Sequence, residues 1–253
     1  MRIDLYLQLN GYFDSRNKAS EAIKRGEITI DGKIITKPSF EIQENVIYKI
    51  DYIYSEKFVS IGGYKLKKAI DTFKIDFKNK IVCDIGASTG GFTDCCLQYG
   101  AMKVYSVDLN DTLLHQSLKL NSKVIPIVRN AKELSAEDFS EEIDIITADL
   151  SFISATQVMQ VFYNIIKDNG LVILLIKPQF EMKKHIKLKN GIIKDDKLRM
   201  EACKDVYDCA VSIGFYVKNI VNAPIIDKKN VEYLILLQKN SQKSDNFEKL
   251  FTK

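Results

Sequence analysis

Apolar positions follow two different rhythms along the chain. Over residues 1–54 they are spaced for short helices and a hairpin. Ile3, Leu5, Tyr6 and Leu9 predict a short helix stopped by Gly11. Ser15 reads as the N-cap of a second helix through Ala19, Ala22 and Ile23, with Gly26 placed to end it. Apolar residues then flank Asp31-Gly32, a hairpin signal because a type I′ turn needs φ > 0 at both central positions. Lys37-Pro38-Ser39 breaks the run, and residues 46–50 predict a closing strand.

From residue 64 onward strand and helix patterns alternate. Strands are expected at 81–85, 104–108, 124–128, 143–149, 171–176, 216–221 and 233–237. Helical spacing falls at 64–73, ahead of the first of these strands, and at 92–99, 156–166 and 197–213. That rhythm is the mark of an α/β fold, a mainly parallel sheet covered on both faces. Only residues 222–232 join the last two strands, short enough for an antiparallel pair at the sheet edge. Residues 55–63 read as a linker, and residues 241–253 as a polar, partly disordered tail.

Composition changes this picture little. With 46% hydrophobic and 28% charged residues, 253 residues can bury a sizeable core. A net charge of +4 permits a nucleic-acid partner without requiring one. No apolar run reaches the roughly 20 residues of a membrane span. The start, Met1-Arg2-Ile3-Asp4, lacks a signal peptide's apolar stretch, so a cytoplasmic protein is expected. Cys83, Cys95, Cys96, Cys203 and Cys209 form no CxxC pair, and with two histidines they argue against a metal site and for reduced, mostly buried thiols.

The strongest motif is Asp84-Ile85-Gly86-Ala87-Ser88-Thr89-Gly90-Gly91-Phe92-Thr93, a strand running through a glycine loop into a helix. Such a loop admits a ligand close to the backbone, beside free N–H groups of the helix N-terminus. Ser88 stands where a dinucleotide fingerprint has its second glycine, and no Gly-Lys-Ser/Thr follows, so the ligand need not carry phosphates. Asp108 ends the next strand, where an acid can accept from ribose hydroxyls. The combination fits S-adenosylmethionine, although a tight turn in another α/β protein would also show such a loop. Asp84 either holds loop amides, meets the ligand's positive end, or is purely structural.

Four charged residues complete the chemistry. Asp149 and Lys177 end successive strands and so share a rim with the glycine loop. A lysine directly after an unbroken apolar run is unusual. Glu232 begins the last strand, and Lys65 lies on the first helix of this part. Together they would form a balanced cluster in which burial and the neighbouring Lys65 favour the neutral form of Lys177, able to take a hydroxyl proton. Four unrelated surface charges are the bland alternative.

The whole chain resembles the TlyA family, the haemolysin A proteins, which are similar to ribosomal RNA 2′-O-methyltransferases. The resemblance rests on the glycine-loop motif, Asp149-Leu150-Ser151-Phe152-Ile153-Ser154, Lys177-Pro178-Gln179-Phe180-Glu181 and Asn230-Val231-Glu232-Tyr233, in order. It implies an FtsJ-like, Rossmann-like methyltransferase domain over 64–240, with a mostly parallel sheet and an antiparallel last strand. It further implies S-adenosylmethionine held by Asp84, Gly86, Ser88, Gly90, Gly91, Asp108 and Asp149. Lys65, Asp149, Lys177 and Glu232 would be a catalytic tetrad with Lys177 as base, needing no metal. Acceptor and partner would be a ribose in ribosomal RNA or a ribosomal subunit, a cytidine of the large subunit and in some members also the small one. One departure stands out: Ile61 replaces an arginine in the family's Val-Ser-Arg-Gly-Gly, which puts one RNA or domain-docking contact in doubt.

Residues 1–54 resemble the small α+β RNA-binding module of ribosomal protein S-four, through Ser15-Arg16-Asn17-Lys18-Ala19, Ile23, Gly26, the hairpin and Lys37-Pro38-Ser39. Acidic and basic side chains balance across this stretch, so RNA binding requires clustering of Arg16, Lys18, Lys24, Arg25, Lys33 and Lys37. A second basic stretch after Lys177 includes Lys183 and Lys184 and reads as a phosphate-contacting loop. The alternatives are an RNA-binding protein without catalysis, a small-molecule methyltransferase and a haemolysin-associated protein. The intact four charges argue against the first and the N-terminal module against the second. No pore-like segment favours the third.

Overall fold

The computed structural model describes residues 1–13, 15–24, 26–43, 46, 48–52, 58–182, 191–224, 230–240 and 242–250. The chain forms two compact units, the first over Met1–Lys57 and the second over Phe58–Ile225 with Asn230–Lys253. The second unit thus starts at Phe58, inside the stretch expected to be linker. Phe58 packs edge-on against Tyr64, and the Val59 amide donates to Asp94 at 2.8 Å, which anchors these residues to the larger fold.

The first unit holds α1 (Ile3–Leu9), α2 (Arg16–Lys24) and an antiparallel sheet of β1 (Ile28–Ile30), β2 (Lys33–Ile35) and β3 (Ile50–Tyr52), in the order β2-β1-β3. Ser15 Oγ accepts from the Lys18 amide at the start of α2. Asp31 and Gly32 have φ of 49° and 78°, the two positive values the hairpin demands. Ile3, Leu7, Ala19, Ala22, Ile23 and Ile28 form a fully buried core. The closing strand begins later than its apolar pattern implies. Ile30 pairs with Ile50, and beyond it the Lys49 amide donates to the Asp31 side chain, leaving Val46 in a bend.

The second unit runs α3 (Gly62–Phe73), β4 (Ile81–Ile85), α4 (Gly91–Gln98), β5 (Lys103–Asp108), α5 (Gln116–Lys119), β6 (Val124–Val128), β7 (Ile143–Ala148), α6 (Met159–Ile165), β8 (Ile166–Ile176), α7 (Pro178–Glu181), α8 (Asp196–Ile213), β9 (Phe215–Asn222), β10 (Tyr233–Lys239) and α9 (Phe247–Leu250). Seven strands form one sheet in the order β6-β5-β4-β7-β8-β10-β9. Strands β4 to β8 pair in parallel, while β10 lies antiparallel between β8 and β9. β4, between β5 and β7, is buried on both faces. Ile81, Cys83 and Ile85 join a core with α6 and α8, whereas Val82 joins one with α3 and α4. Each large side chain fully buried there contributes roughly 1.5–3 kcal/mol. Among the described residues no helix is long and apolar enough to cross a membrane.

Two elements depart from the sequence pattern. Helical spacing over 156–166 resolves into a 3₁₀ turn at Ala155–Gln157, then α6, and Ile166 already opens β8. The residues between the expected helix and the expected strand, 167–170, are absorbed into β8 as a bulge: Ile143 pairs with Ile166 and Ile145 with Leu171. The expected polar tail contains α9, because Phe247 and Leu250 share one face and are buried against the core beside Tyr207. Phe247→Ala should therefore cost about 3 kcal/mol in urea unfolding. An unchanged midpoint would mean that α9 contributes nothing to the fold.

Candidate active site

The site lies at the carboxyl rim of β4, β7 and β8. β4 runs into the glycine loop, where the Gly86 and Ala87 amides both donate to Val107 O. Gly86 has φ of 82°, and a Cβ there would sit 2.7 Å from the Asp149 carbonyl oxygen. The loop thus needs glycine at 86 to let the end of β7 approach. A Cβ at Gly90 would overlap the Leu118 side chain, and one at Gly91 would overlap Ser60 Oγ. These two glycines answer to protein packing as much as to a ligand. Ser88 adopts φ of 50°, and its amide donates to Asp108 Oδ2 at 2.8 Å.

Two recesses meet at the loop. A cavity of about 230 Å³ is lined by Ile61, Gly86, Ser88, Gly91 and the side chains of Lys65, Asp149 and Lys177. A smaller one lies between the loop and Asp108, beside Asn110, Asp111 and Ile127. Ala87 and Ser88 belong to both. An elongated ligand with a polar end and a nucleoside end suits such a pair, with a carboxylate at the nucleoside end, so the residues fit S-adenosylmethionine. A larger hollow of about 700 Å³ lies at the opposite rim, near Glu141, Lys167 and Lys239, and holds none of these residues.

The four charged side chains come together as two ion pairs. Lys177 Nζ lies 2.5 Å from Asp149 Oδ1 and donates to Ser151 Oγ at 2.8 Å. Lys65 Nζ lies 2.5 Å from Glu232 Oε2. Both lysines are buried, at 7% and 9% exposure for Lys65 and Lys177, so each ammonium depends on its carboxylate to offset lost hydration. Strand direction explains how Glu232 reaches this rim. β10 is antiparallel and Tyr233 pairs with Ile176, so the start of β10 lies beside the end of β8. Lys65 comes from the face of α3 that also buries Leu66, Ala69 and Ile70.

Asp84 takes the structural role. It is fully buried, accepts from Thr93 Oγ1 at 2.6 Å and Thr147 Oγ1 at 2.9 Å, and does not line either recess. It ties β4 to β7 and to the first turn of α4. Burial pushes its carboxyl up to about 7, against the two threonine hydroxyls that favour the ionised form.

Composition and spacing overlooked several side chains at this rim. Ser151 bonds Lys177. Phe152 is 88% exposed with φ of 67°, a strained conformation for an aromatic residue, and its ring lies 5.3 Å from that of Phe180. Glu181 is buried against Ser154 and Ala155. Ser151, Phe152, Phe180 and Glu181 lie within the two motifs already singled out, but nothing in their residue types distinguishes them from loop filler.

In the first unit Lys18, Lys24, Lys33 and Lys37 are exposed, with Lys24 paired to Glu21. Arg16 is held differently. Asp4, 2% exposed, accepts from Arg16 Nε at 3.1 Å and from Arg2 Nη2 at 2.8 Å, binding two guanidiniums to one buried carboxylate. Arg2 was not among the residues expected from sequence. Arg25, Lys183 and Lys184 lie outside the described residues.

The cleft and its sheet define an S-adenosylmethionine-dependent type of methyltransferase fold. The model of the FtsJ-like methyltransferase family matches residues 58–240, and that of the S4 domain matches residues 1–47. The chain is 38% identical over 237 residues to Hemolysin A of Brachyspira hyodysenteriae, covering 92% of this chain and 98% of that one. It is 34% identical to the 23S rRNA (cytidine-2′-O)-methyltransferase TlyA of Campylobacter jejuni, covering 95% and 100%. A solved hemolysin structure from Streptococcus thermophilus superposes with a TM-score of 0.74 at 31% identity, covering 99% and 94%. The chain belongs to the TlyA, or haemolysin A, family of FtsJ-like methyltransferases.

Between about pH 4 and 7 the folded chain keeps a proton on Asp84 that the unfolded chain has released. The stability this supplies is lost as pH rises through 7. Going from pH 5.5 to 8, the wild type should lose about 2 kcal/mol more than Asp84→Asn, read by urea unfolding at both pH values. Equal pH dependence would show that Asp84 is already ionised at pH 5.5.

Proposed function

We propose that this protein methylates a ribose 2′-hydroxyl of ribosomal RNA, using S-adenosylmethionine, in the cytoplasm where ribosomes are assembled. The observation that carries the reading is the pair of buried lysines, each on a carboxylate, at the mouth of the glycine-loop cleft. The names of similar proteins favour a cytidine of large-subunit RNA as the acceptor.

S-adenosylmethionine supplies a methyl carbon that is already electrophilic, so the protein contributes mainly position and a place for one proton. Gly86, Ser88, Gly90 and Gly91 would shape its cradle, with Asp108 placed to accept from its ribose hydroxyls and Asp149 in the other recess of the cleft. Lys177, having first released its ammonium proton to solvent, would take the proton from the 2′-hydroxyl as the methyl group passes from the sulfonium sulfur to that oxygen. Asp149 and Ser151 aim Nζ. Lys65, fixed by Glu232, donates to the acceptor oxygen and holds it in line. Phe152 offers an exposed ring beside Phe180, over whose own ring Lys177 Nζ lies at 6.0 Å, and the acceptor base stacks on Phe152, a contact that suits unpaired RNA.

The first unit supplies affinity for the RNA backbone. Arg16 and Arg2, gathered by Asp4, present paired guanidiniums suited to phosphate. Lys18, Lys24, Lys33 and Lys37, exposed on the same unit, add positive charge for the backbone.

Lys177→Ala should reduce methyl transfer to purified ribosomal subunits at least about a hundredfold, with S-adenosylmethionine affinity unchanged. Label appearing in RNA at the wild-type rate would remove Lys177 as the base. Asp108→Ala should weaken S-adenosylmethionine roughly tenfold in calorimetry. Equal affinity would contradict its place at the ribose.

A further inference from the structure

Glu181 closes a loop whose other end is already fixed. The loop from Asp149 to Ala155 leaves β7 carrying Asp149, Ser151 and Phe152. At its start the Asp149 amide donates to Ile85 O at 3.1 Å. At its far end the Ala155 amide donates to Glu181 Oε1 at 3.0 Å, and Ser154 Oγ donates to Glu181 Oε2 at 2.5 Å. The local 3₁₀ turn does not need this acid. Ser154 Oγ already accepts from the Thr156 amide and caps that turn itself. Glu181 is nevertheless buried at 6% exposure, a position a carboxylate occupies only when firmly bonded.

The acid stands on α7, the same turn that carries Lys177 at its start and Phe180 within it. One side chain therefore ties the loop bearing Ser151 and Phe152 to the turn bearing Lys177 and Phe180. Between the two anchors Phe152 is held with φ of 67°, its ring in solvent beside Phe180. Such a conformation persists only where the surroundings over-determine it.

We infer that Glu181 is a positioning residue for the acceptor nucleotide. It fixes the 149–155 loop onto α7 so that Phe152 and Ser151 present the acceptor to Lys177, and it touches no substrate itself. The inference rests on the reading of this rim as the acceptor site.

The test combines Glu181→Ala, Glu181→Gln and Phe152→Ala in a double-mutant cycle. It reads kcat and KM for ribosomal subunits, S-adenosylmethionine affinity, and hydrogen–deuterium exchange over residues 149–156. Glu181→Ala should raise KM for subunits roughly tenfold, with S-adenosylmethionine binding unchanged and exchange faster at 149–156. Glu181→Gln should restore most of the loss, since its carboxamide can accept from Ala155 and donate to Ser154. With Phe152→Ala present, removing Glu181 should add less than about twofold, because both act on one contact. Equal losses in both backgrounds, or a parallel loss of cofactor binding, would reduce Glu181 to a structural acid. If Glu181→Ala does not fold, Glu181→Asp, which keeps the charge but shortens the reach, serves in the same cycle. Wild type that transfers no methyl would sink the reading of the site. Unchanged exchange at 149–156 in the Glu181 variants would sink the role of Glu181 alone.

Discussion

Two ammonium groups held out of water at one end of a sheet set the terms for the second unit. Removing such a charge from solvent costs several kcal/mol, and only a well-placed carboxylate offsets it. Lys65 and Lys177 each have one, from different strands. Strand order, the direction of β10 and the glycine at 86 all serve to bring those four side chains within reach. Moving β10 by one residue would turn Glu232 away from the rim and leave Lys65 buried without its partner.

Much of this was legible in the sequence because it rests on local rules. The alternation of strands and helices, the Asp31-Gly32 turn and the glycine loop each follow from residues adjacent in the chain. Asp149 and Lys177 were legible for a topological reason, since the ends of parallel neighbours share a rim. Glu232 required the further step that its strand runs the other way.

What escaped depends on partners distant in sequence. Ile166 opens a strand instead of closing a helix because Ile143 is there to pair with it. Phe247 becomes core because Tyr207 on α8 offers a surface. Arg2 has the composition of any terminal arginine until Asp4 is seen gathering it with Arg16. Asp84 illustrates the converse. Its place before the loop left three roles open, and only the two threonine hydroxyls from α4 and β7 select among them.

The reversed strand also bears on how the protein is made. A ribosome delivers Lys65 ahead of every strand of this sheet and Glu232 only with the last of them, since β10 follows every other strand. Until then the nascent sheet must keep that amine in water or leave its rim open. The second unit therefore cannot close its cleft while most of it is already outside the exit tunnel. A chain interrupted shortly before β10 would carry its glycine loop intact but lack both the strand separating β8 from β9 and the counter-charge for α3. The cleft is therefore complete only once the last strand of the sheet has been added, however early its other residues are in place.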